Sequence, residues 1–333
     1  MLVLVHPSPM TSAKELAGAL QIFGAARAQD GLVVLETTRV QEIAGMFGVA
    51  KASVAIECES QFSPILKAIV QAGKRTVLQG QSFFVKVSLT QARDFAARDL
   101  EFAATGALAA ELAGVSSPAR SEDEAGAKTI AAYVGKGKRA FVALREYEGP
   151  GGALAGSLGM ASCTLTGPLS LASCVAACRA GFSLPEPLLL YSDEDDLCRN
   201  AKLARSLAEK TGAKKQKIAI AKVRAKGGKA KTLQLDLVAA RTLAGMKGSR
   251  YVVLPLSLAT HPQWFIEMAT KEVHDAGKVL LAPMMFSEMG ASEERAEKVT
   301  RREFMKLKTV SENPRRLSLE VGPNYLHDII DSV

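Results

Sequence analysis

The sequence has few of the residues from which the common catalytic and metal-binding motifs are built. Its four histidines are scattered, and its five cysteines are an odd number with no zinc-type spacing. No GxSxG, HExxH or intact lysine-bearing phosphate loop occurs. These absences argue against the familiar hydrolase and zinc-enzyme sites, and the cysteine usage predicts a reduced, cytoplasmic chain.

Long apolar runs are also missing. The runs stay well below the roughly 18 residues that a membrane-spanning helix needs. The opening, MLVLVHPSPM, lacks the basic region of a signal peptide and reads as a strand. The sequence therefore predicts no membrane partner.

What is present is a large apolar fraction and an excess of positive charge. The 333 residues are 48% hydrophobic, which is enough for two or three packed domains. The net charge of +8 favours a polyanionic partner.

Short strands alternate with helices through the first 58 residues, which predicts a small ferredoxin-like α+β unit. A second unit follows, with a helix at 61–73, a strand at 81–89 and a helix at 91–113. Two later strands flank GKGK, a turn with two glycines that are able to adopt positive φ. This hairpin carries Lys136, Lys138 and Arg139. It is either a solvated turn, or these side chains contact phosphate.

Residues 149–159, GPGGALAGSLG, are rich in glycine, and we place a domain boundary there. Beyond it strands and helices alternate, and the last predicted helix spans 290–308. Such alternation predicts a mostly parallel sheet covered by helices on both faces. Ligands bind beyond the carboxyl ends of the strands in such sheets, and the turn at 166–170 lies at one of these ends.

The segment FVALREYEGPGGALAGSLGMASCTLTGPLSLASCVAACRAGF resembles the junction between the THUMP and PP-loop domains of the tRNA 4-thiouridine sulfurtransferase family. The order and spacing of its glycines carry the likeness. The resemblance implies a ferredoxin-like domain at 1–58, a THUMP domain at 59–150 and a PP-loop-like (adenine nucleotide alpha hydrolase-like) parallel-sheet domain at 151–333. The implied fold class is α/β with an α+β N-terminal half.

The turn at 166–170 departs from the family's PP-loop, which reads Ser-Gly-Gly-x-Asp-Ser. Aligned through the glycines, Thr166 keeps a hydroxyl and Gly167 is identical. Pro168 removes one backbone N–H from the anion-binding set. Ser170 stands where the family has aspartate, and Leu171 is apolar where the family has a hydroxyl. We therefore predict a degenerate nucleotide site at Thr166, Gly167 and Ser170 that takes no cofactor, with ATP and Mg²⁺ as cofactors if the loop still functions.

Cys174 and Cys178 lie four residues apart on one face of the helix after this turn. They are either small core residues or, if the protein is an active enzyme, its redox or persulfide pair. The family's cysteine after the late strand is missing here, where the sequence reads APMMFSEMGASEE.

The longest basic run, residues 213–231, contains no acidic residue. Lys222, Arg224 and Lys226 share one strand parity and can project together. The run is either a surface for RNA phosphates or an edge strand that carries lysines against aggregation. Because it has no aromatic residue for base stacking, its contacts would position an RNA backbone. The candidate RNA-binding residues are Lys86, Lys136, Lys138, Arg139, Lys214, Lys215, Lys222, Arg224, Lys226 and Lys229.

Four acidic residues cluster at 193–196. We interpret them as the acidic first turn of a helix that Ser192 caps, with a metal site as the alternative. His261 begins a later helix without a partner at metal-ligand spacing.

The leading hypothesis is a tRNA-binding protein with sulfurtransferase-like architecture and a non-catalytic PP-loop-like domain, acting in or beside tRNA modification. The family resemblance implies that the first two domains hold the tRNA, and it favours a homodimer or a complex with an active modification enzyme. We predict no DNA partner. The alternatives are a divergent, active ATP-dependent tRNA 4-thiouridine synthase and a protein-interaction scaffold.

Overall fold

The structure, a computed structural model, describes residues 1–91, 93–213, 215–225, 230–287 and 299–333. These residues form two compact units, Met1–Gly152 and Ala153–Val333. The division falls inside the glycine-rich segment 149–159.

The N-terminal unit is built on one sheet with helices connecting its strands. Its strands in the described residues are β1 (Leu2–Pro7), β2 (Arg27–Gln29), β3 (Leu32–Glu36), β4 (Val49–Glu59), β5 (Phe83–Leu89), β6 (Lys128–Val134) and β7 (Arg139–Glu148). Its helices are α1 (Ala13–Leu20), α2 (Val40–Ala44), α3 (Phe62–Thr76) and α4 (Ala97–Glu111), with a 3₁₀ turn at Gln21–Phe23.

The first four strands have the ferredoxin-like arrangement expected from the sequence. They follow the chain order βαββαβ and lie in the sheet order β2-β3-β1-β4, all antiparallel. Strand β4 then pairs with β7 over nine residues of register, from Lys51 opposite Glu148 to Glu59 opposite Arg139. The sheet therefore continues as β7-β6-β5 without a break at residue 58.

Apolar side chains at helical spacing attach α3 and α4 to this sheet. Ile65 and Ile69 of α3 and Leu100 and Leu108 of α4 are fully buried, and they pack on the alternate residues of β5 that begin with Phe83. At the start of α1, Ser12 and Glu15 form a reciprocal capping box. Ser12 is thus the N-terminal cap of α1.

The C-terminal unit alternates strands and helices. Its strands in the described residues are β8 (Gly159–Leu165), β9 (Phe182–Ser183), β10 (Leu188–Tyr191), β11 (Lys215–Arg224), β12 (Tyr251–Val253), β13 (Val279–Leu281), β14 (Val310–Ser311) and β15 (Arg315–Glu320). Its helices are α5 (Pro168–Ala180), α6 (Glu194–Thr211), α7 (Ala230–Gly245), α8 (Gln263–Asp275), α9 (Arg301–Phe304) and α10 (Tyr325–Asp331).

Five parallel strands form the centre of this unit, in the order β13-β12-β8-β10-β11. The chain runs outward from β8 in one direction through β10 and β11, and then in the other through β12 and β13. The order therefore reverses between β8 and β12. In open α/β sheets this switch point is where ligands bind, beyond the carboxyl ends of the strands.

The last part of this unit differs from what the sequence predicted. The helix predicted for 290–308 is only the short α9 within the described residues, and residues 288–298 lie outside them. The chain then forms β14 and β15, which pair antiparallel with β11. Strand β11 consequently has neighbours on both sides. It is therefore not a solvated edge strand, which was one of the two interpretations of its lysines.

No helix in the described part of the chain is long and apolar enough to cross a membrane.

Candidate functional site

The turn after β8 lies at the switch point, and its backbone N–H groups are already occupied. The Ser170 hydroxyl oxygen accepts from the N–H of Thr166 at 3.0 Å and from the N–H of Gly167 at 3.1 Å. The same hydroxyl donates to the Gly167 carbonyl oxygen. Pro168 takes the first position of α5, where a proline's missing N–H costs nothing. The turn thus satisfies internally two of the backbone donors that a phosphate-binding loop offers to its ligand.

A buried carboxylate accepts a hydrogen bond from the Thr166 side chain. Helix α7 is apolar on most of its surface because it packs between the sheet and α8, yet it carries Asp236, which is only 1% exposed. Asp236 Oδ1 accepts from the Thr166 hydroxyl at 2.9 Å, and Asp236 Oδ2 lies 3.1 Å from His261 Nε2.

The hydrogen bonds around His261 define its tautomer. The backbone N–H of Ser257 donates to His261 Nδ1 at 3.3 Å, and the Thr260 hydroxyl lies 2.8 Å from the same nitrogen. Since a backbone N–H is only a donor, Nδ1 carries no proton and Nε2–H donates to Asp236. The ring also stacks on Phe265, with centroids 5.5 Å apart. Thr166, Asp236 and His261 therefore form a closed, satisfied network from three separate elements.

Chemically, this network places a protein carboxylate against the turn that would otherwise face a ligand anion. A phosphate and a carboxylate compete for the same hydroxyl and N–H donors. No group of three or more possible metal ligands occurs among the described residues.

The two candidate thiols lie in the core rather than in a cleft. Cys174 and Cys178 are both fully buried on α5, and burial raises the pKa of Cys178 to about 12. A hydrogen bond with Cys174, together with burial, raises the pKa of Cys163 well above its usual range. Such thiols are poor nucleophiles because only the thiolate reacts.

The hairpin lysines line a cavity of about 870 Å³ in the N-terminal unit. Lys136 and Lys138 are exposed there and have no ion-pair partner among the described residues, and Arg139 lies 3.8 Å from Glu57. The cavity contains four cationic side chains against two acidic ones, Glu59 and Asp94. Its potential is therefore positive.

Arg93 holds this hairpin in place. Its guanidinium donates to the carbonyl oxygens of Gly135 and, at 2.8 Å, Gly137. The Ser60 hydroxyl also donates to the Gly137 carbonyl oxygen at 2.9 Å. Gly135 and Gly137 do not adopt the positive φ that glycine allows. Gly135 instead permits a close approach, since an added Cβ would lie 1.9 Å from Asp30 Oδ2.

Helix α3 begins at the same cavity. Its cap residue, Gln61, makes no side-chain capping bond, and its first turn contains no acidic residue. The partial positive charge of this helix end adds to that of the lysines. Phe62 and Phe95 also line the cavity, with ring centroids 5.6 Å apart in an edge-to-face contact.

The remaining RNA-binding candidates are dispersed. Lys86 is paired with Glu122 at 2.6 Å. On β11, Lys222 and Arg224 are exposed on one face, as their parity predicted, while Lys215 is exposed on the opposite face. Lys214, Lys226 and Lys229 lie outside the described residues.

The acidic cluster forms the first turn of α6. The capping residue of α6 is Asp193, whose side chain accepts from the Asp196 N–H at 2.9 Å, so the expectation that Ser192 caps this helix was wrong. Ser192 donates to Asp196 instead. Lys231 lies 2.7 Å from Asp193 and 2.8 Å from Asp196, so this member of the basic run is already paired.

Sequence reasoning missed Arg93, Asp236 and His261. Asp236 had a usable signal, because a lone carboxylate inside an apolar helical run must be paired when buried. No signal in the sequence pointed to Arg93 or His261. Arg93 binds backbone carbonyl oxygens, and His261 pairs with a residue that is distant in the sequence.

No protein-family model matches the sequence, and no curated protein sequence is similar to it. Solved structures with related folds include a 4-thiouridine synthetase in complex with RNA and bound ATP, with a TM-score of 0.63 at 14% identity over 85% of this chain and 81% of that chain. Another is PH1313 from Pyrococcus horikoshii Ot3, with a TM-score of 0.60 at 14% identity over 85% of this chain and 94% of that one. These similarities confirm the fold class expected from the sequence: over most of its length, the chain has the fold of a 4-thiouridine synthetase.

Proposed function

We propose that this protein binds tRNA through the cationic cavity of its N-terminal unit and acts in or beside tRNA modification. The observation that carries the proposal is the cavity itself, where Lys136, Lys138 and Arg139 stand beside the uncapped start of α3. The shared fold with a 4-thiouridine synthetase crystallised with RNA supports the choice of RNA as the polyanion.

The cavity has the two kinds of group that single-stranded RNA requires. Lysine ammonium groups without ion-pair partners are available to phosphates, and binding releases the counterions of the RNA. The rings of Phe62 and Phe95 offer apolar faces on which an unpaired base can stack. Such contacts position a single-stranded end more than they read its sequence.

We further propose that the PP-loop-like turn is non-catalytic. The hydroxyl of Ser170 occupies two backbone donors of the turn, and Asp236 occupies the Thr166 hydroxyl. A nucleotide phosphate would have to displace both groups and would approach the buried Asp236 carboxylate. The alternative is an active ATP-dependent tRNA 4-thiouridine synthase that opens this turn and uses Cys174 or Cys178.

One pair of assays tests both parts of the proposal. Filter binding should show salt-sensitive affinity for total tRNA and little affinity for duplex DNA of equal length. Calorimetry with ATP and Mg²⁺ should show no micromolar binding, and no ATP hydrolysis should accompany addition of tRNA. Micromolar, magnesium-dependent ATP affinity would support the enzyme alternative, and absence of tRNA binding would refute the proposal itself.

On this proposal the protein works in the cytoplasm, either as a homodimer or beside an active modification enzyme that supplies the chemistry.

A further inference from the structure

A second cavity, of about 620 Å³, lies in the C-terminal unit, away from the switch point. Its volume falls in the range of small-molecule sites, roughly 300–1,000 Å³. It opens near the carboxyl ends of β10 and β11, and helices α6 and α10 contribute walls. Nothing in the proposed RNA-binding function uses it.

The strand register places the side chains of its floor on one face of the sheet. Tyr191 of β10 is opposite Lys222 of β11, and Ile220 of β11 is opposite Arg315 of β15. Side chains opposite one another on neighbouring strands lie about 5 Å apart at Cβ, and diagonal neighbours such as Lys222 and Arg315 lie about 7–8 Å apart. Lys222 and Arg315 are therefore neighbouring cations above an apolar floor.

Two carboxylates face the same space. Glu194 comes from the first turn of α6, and Glu312 follows β14, where its N–H donates to the Lys222 carbonyl oxygen at 3.0 Å. Among the described residues, Glu194, Glu312, Lys222 and Arg315 form no ion pair within 4.0 Å. By contrast, the adjacent Asp193 and Arg316 are both paired, with Lys231 and Glu186 respectively.

The interior of the cavity is apolar with two weakly polar groups. Leu197, Ile220, Leu317 and Ile330 line it. Tyr191 is 6% exposed, and burial raises the pKa of its phenol, so that the hydroxyl remains a donor. The thiol of Cys198 is half-buried on the α6 wall.

We propose that this cavity binds a small zwitterion with an apolar body, the chemistry of a free α-amino acid with an apolar side chain. The ligand's carboxylate pairs with Lys222 and Arg315, its ammonium group pairs with Glu194 and Glu312, and its side chain rests on Ile220 and Leu197. Two cationic and two anionic side chains of the lining form no ion pair among the described residues, so the cavity favours a ligand that carries both charges. A purely anionic ligand would face two carboxylates, and a purely cationic one would face two cations.

Calorimetry on the full chain tests this with L-leucine and L-phenylalanine as probes. Both should bind, while N-acetyl-L-leucine and L-leucine methyl ester, each lacking one charge, should bind at least tenfold more weakly because each loses charge-assisted hydrogen bonds. Arg315→Gln should weaken L-leucine binding by a similar factor. Arg316→Gln, the matched control on the neighbouring residue, should leave it unchanged.

A second readout does not depend on these substitutions. Saturating L-leucine should slow alkylation of Cys198 by iodoacetamide, measured by peptide mass spectrometry, and should leave alkylation of Cys58 unchanged. The proposal is overturned if neither amino acid binds at millimolar concentration, or if Arg315→Gln and Arg316→Gln have equal effects. It is also overturned if AMP binds this cavity more tightly than the amino acids, since the charge-balance argument would then be wrong.

Discussion

Asp236 Oδ2 lies 3.1 Å from His261 Nε2, and both side chains are 2% exposed. Together with the Thr166 hydroxyl on Asp236 Oδ1, this contact joins α7 to the turns that follow β8 and β12. Those turns flank the switch point of the parallel sheet. At this position the Thr166 hydroxyl and the His261 ring are thus hydrogen-bonded to one buried carboxylate.

Removing the carboxylate should destabilise the C-terminal unit. Asp236→Ala leaves the Thr166 hydroxyl and the His261 Nε2–H buried without a partner, and we expect a loss of roughly 2–4 kcal/mol in the free energy of unfolding. Urea denaturation followed by circular dichroism measures it. Asp275→Ala, on the exposed end of α8, is the control and should cost less than about 0.5 kcal/mol. Equal effects of the two substitutions would show that the network contributes no stability.

Thiol reactivity should separate Cys198 from the other four cysteines. Burial raises the pKa of Cys58 to about 11 and that of Cys178 to about 12, and Cys163 and Cys174 are fully buried. Ellman's reagent at pH 8 should therefore modify one thiol quickly in the native protein and five after denaturation. Rapid native modification of Cys174 or Cys178, identified by peptide mapping, would favour the enzyme alternative.

Lys231 should stabilise the start of α6 in a pH-dependent manner. A hydrogen bond from Lys231, and then one from the Asp196 N–H, lower the pKa of Asp193 to about 2. Burial alone would raise the pKa of Asp196, but hydrogen bonds from Lys231 and Ser192 outweigh it, so this pKa is also lowered. The folded state therefore binds fewer protons than the unfolded state, and the stabilisation is present above about pH 4 and lost as pH falls toward 2.

Lys231→Met should accordingly lower stability at pH 7 by about 1–2 kcal/mol, since Ser192 and Arg199 still donate to Asp196. The difference from wild type in urea midpoint should shrink between pH 4 and pH 2.5. Arg205→Met, which breaks an exposed pair with Glu209 on the same helix, serves as the comparison and should cost less than about 0.5 kcal/mol at either pH. A Lys231→Met effect that is constant with pH would contradict the assignment.

Arg93 should act on RNA binding through the hairpin and not through phosphate. Its guanidinium is already engaged by the carbonyl oxygens of Gly135 and Gly137, so Arg93→Ala should weaken tRNA binding by loosening the turn. The slope of log K against log salt should stay near the wild-type value. Lys136→Ala should instead reduce that slope by about 0.7–0.9. If Arg93→Ala flattens the slope by the same amount, Arg93 is itself a phosphate contact.

The sequence predicted most of the architecture because that architecture rests on local patterns. Periodic apolar residues indicated α3, α4 and β5, and strand–helix alternation indicated the parallel sheet. Strands β14 and β15 were missed because their pairing with β11 joins residues about 100 positions apart, such as Lys215 and Glu320. The Asp236–His261 contact depends on the same kind of long-range placement. In the N-terminal unit, the glycines at 135–137 correctly predicted a turn. The sequence did not show why glycine is needed at Gly135, which is the close approach of the Asp30 side chain.

The hairpin cations should contact tRNA phosphates, and the salt dependence of tRNA binding is the most direct test of these contacts. The measurement is filter binding across a salt series for wild type and for the triple variant Lys136→Gln, Lys138→Gln and Arg139→Gln. A second variant, Lys222→Gln with Arg224→Gln, reports on β11, and neutralising the exposed Lys67, Lys202 and Lys210 is the charge-matched control. The hairpin variant should flatten the slope of log K against log salt by about two to three units, at roughly 0.7–0.9 per contact. Its affinity should weaken similarly for all tRNA species. The control should leave the slope unchanged. A hairpin variant with the wild-type slope, or one no different from the control, would contradict it.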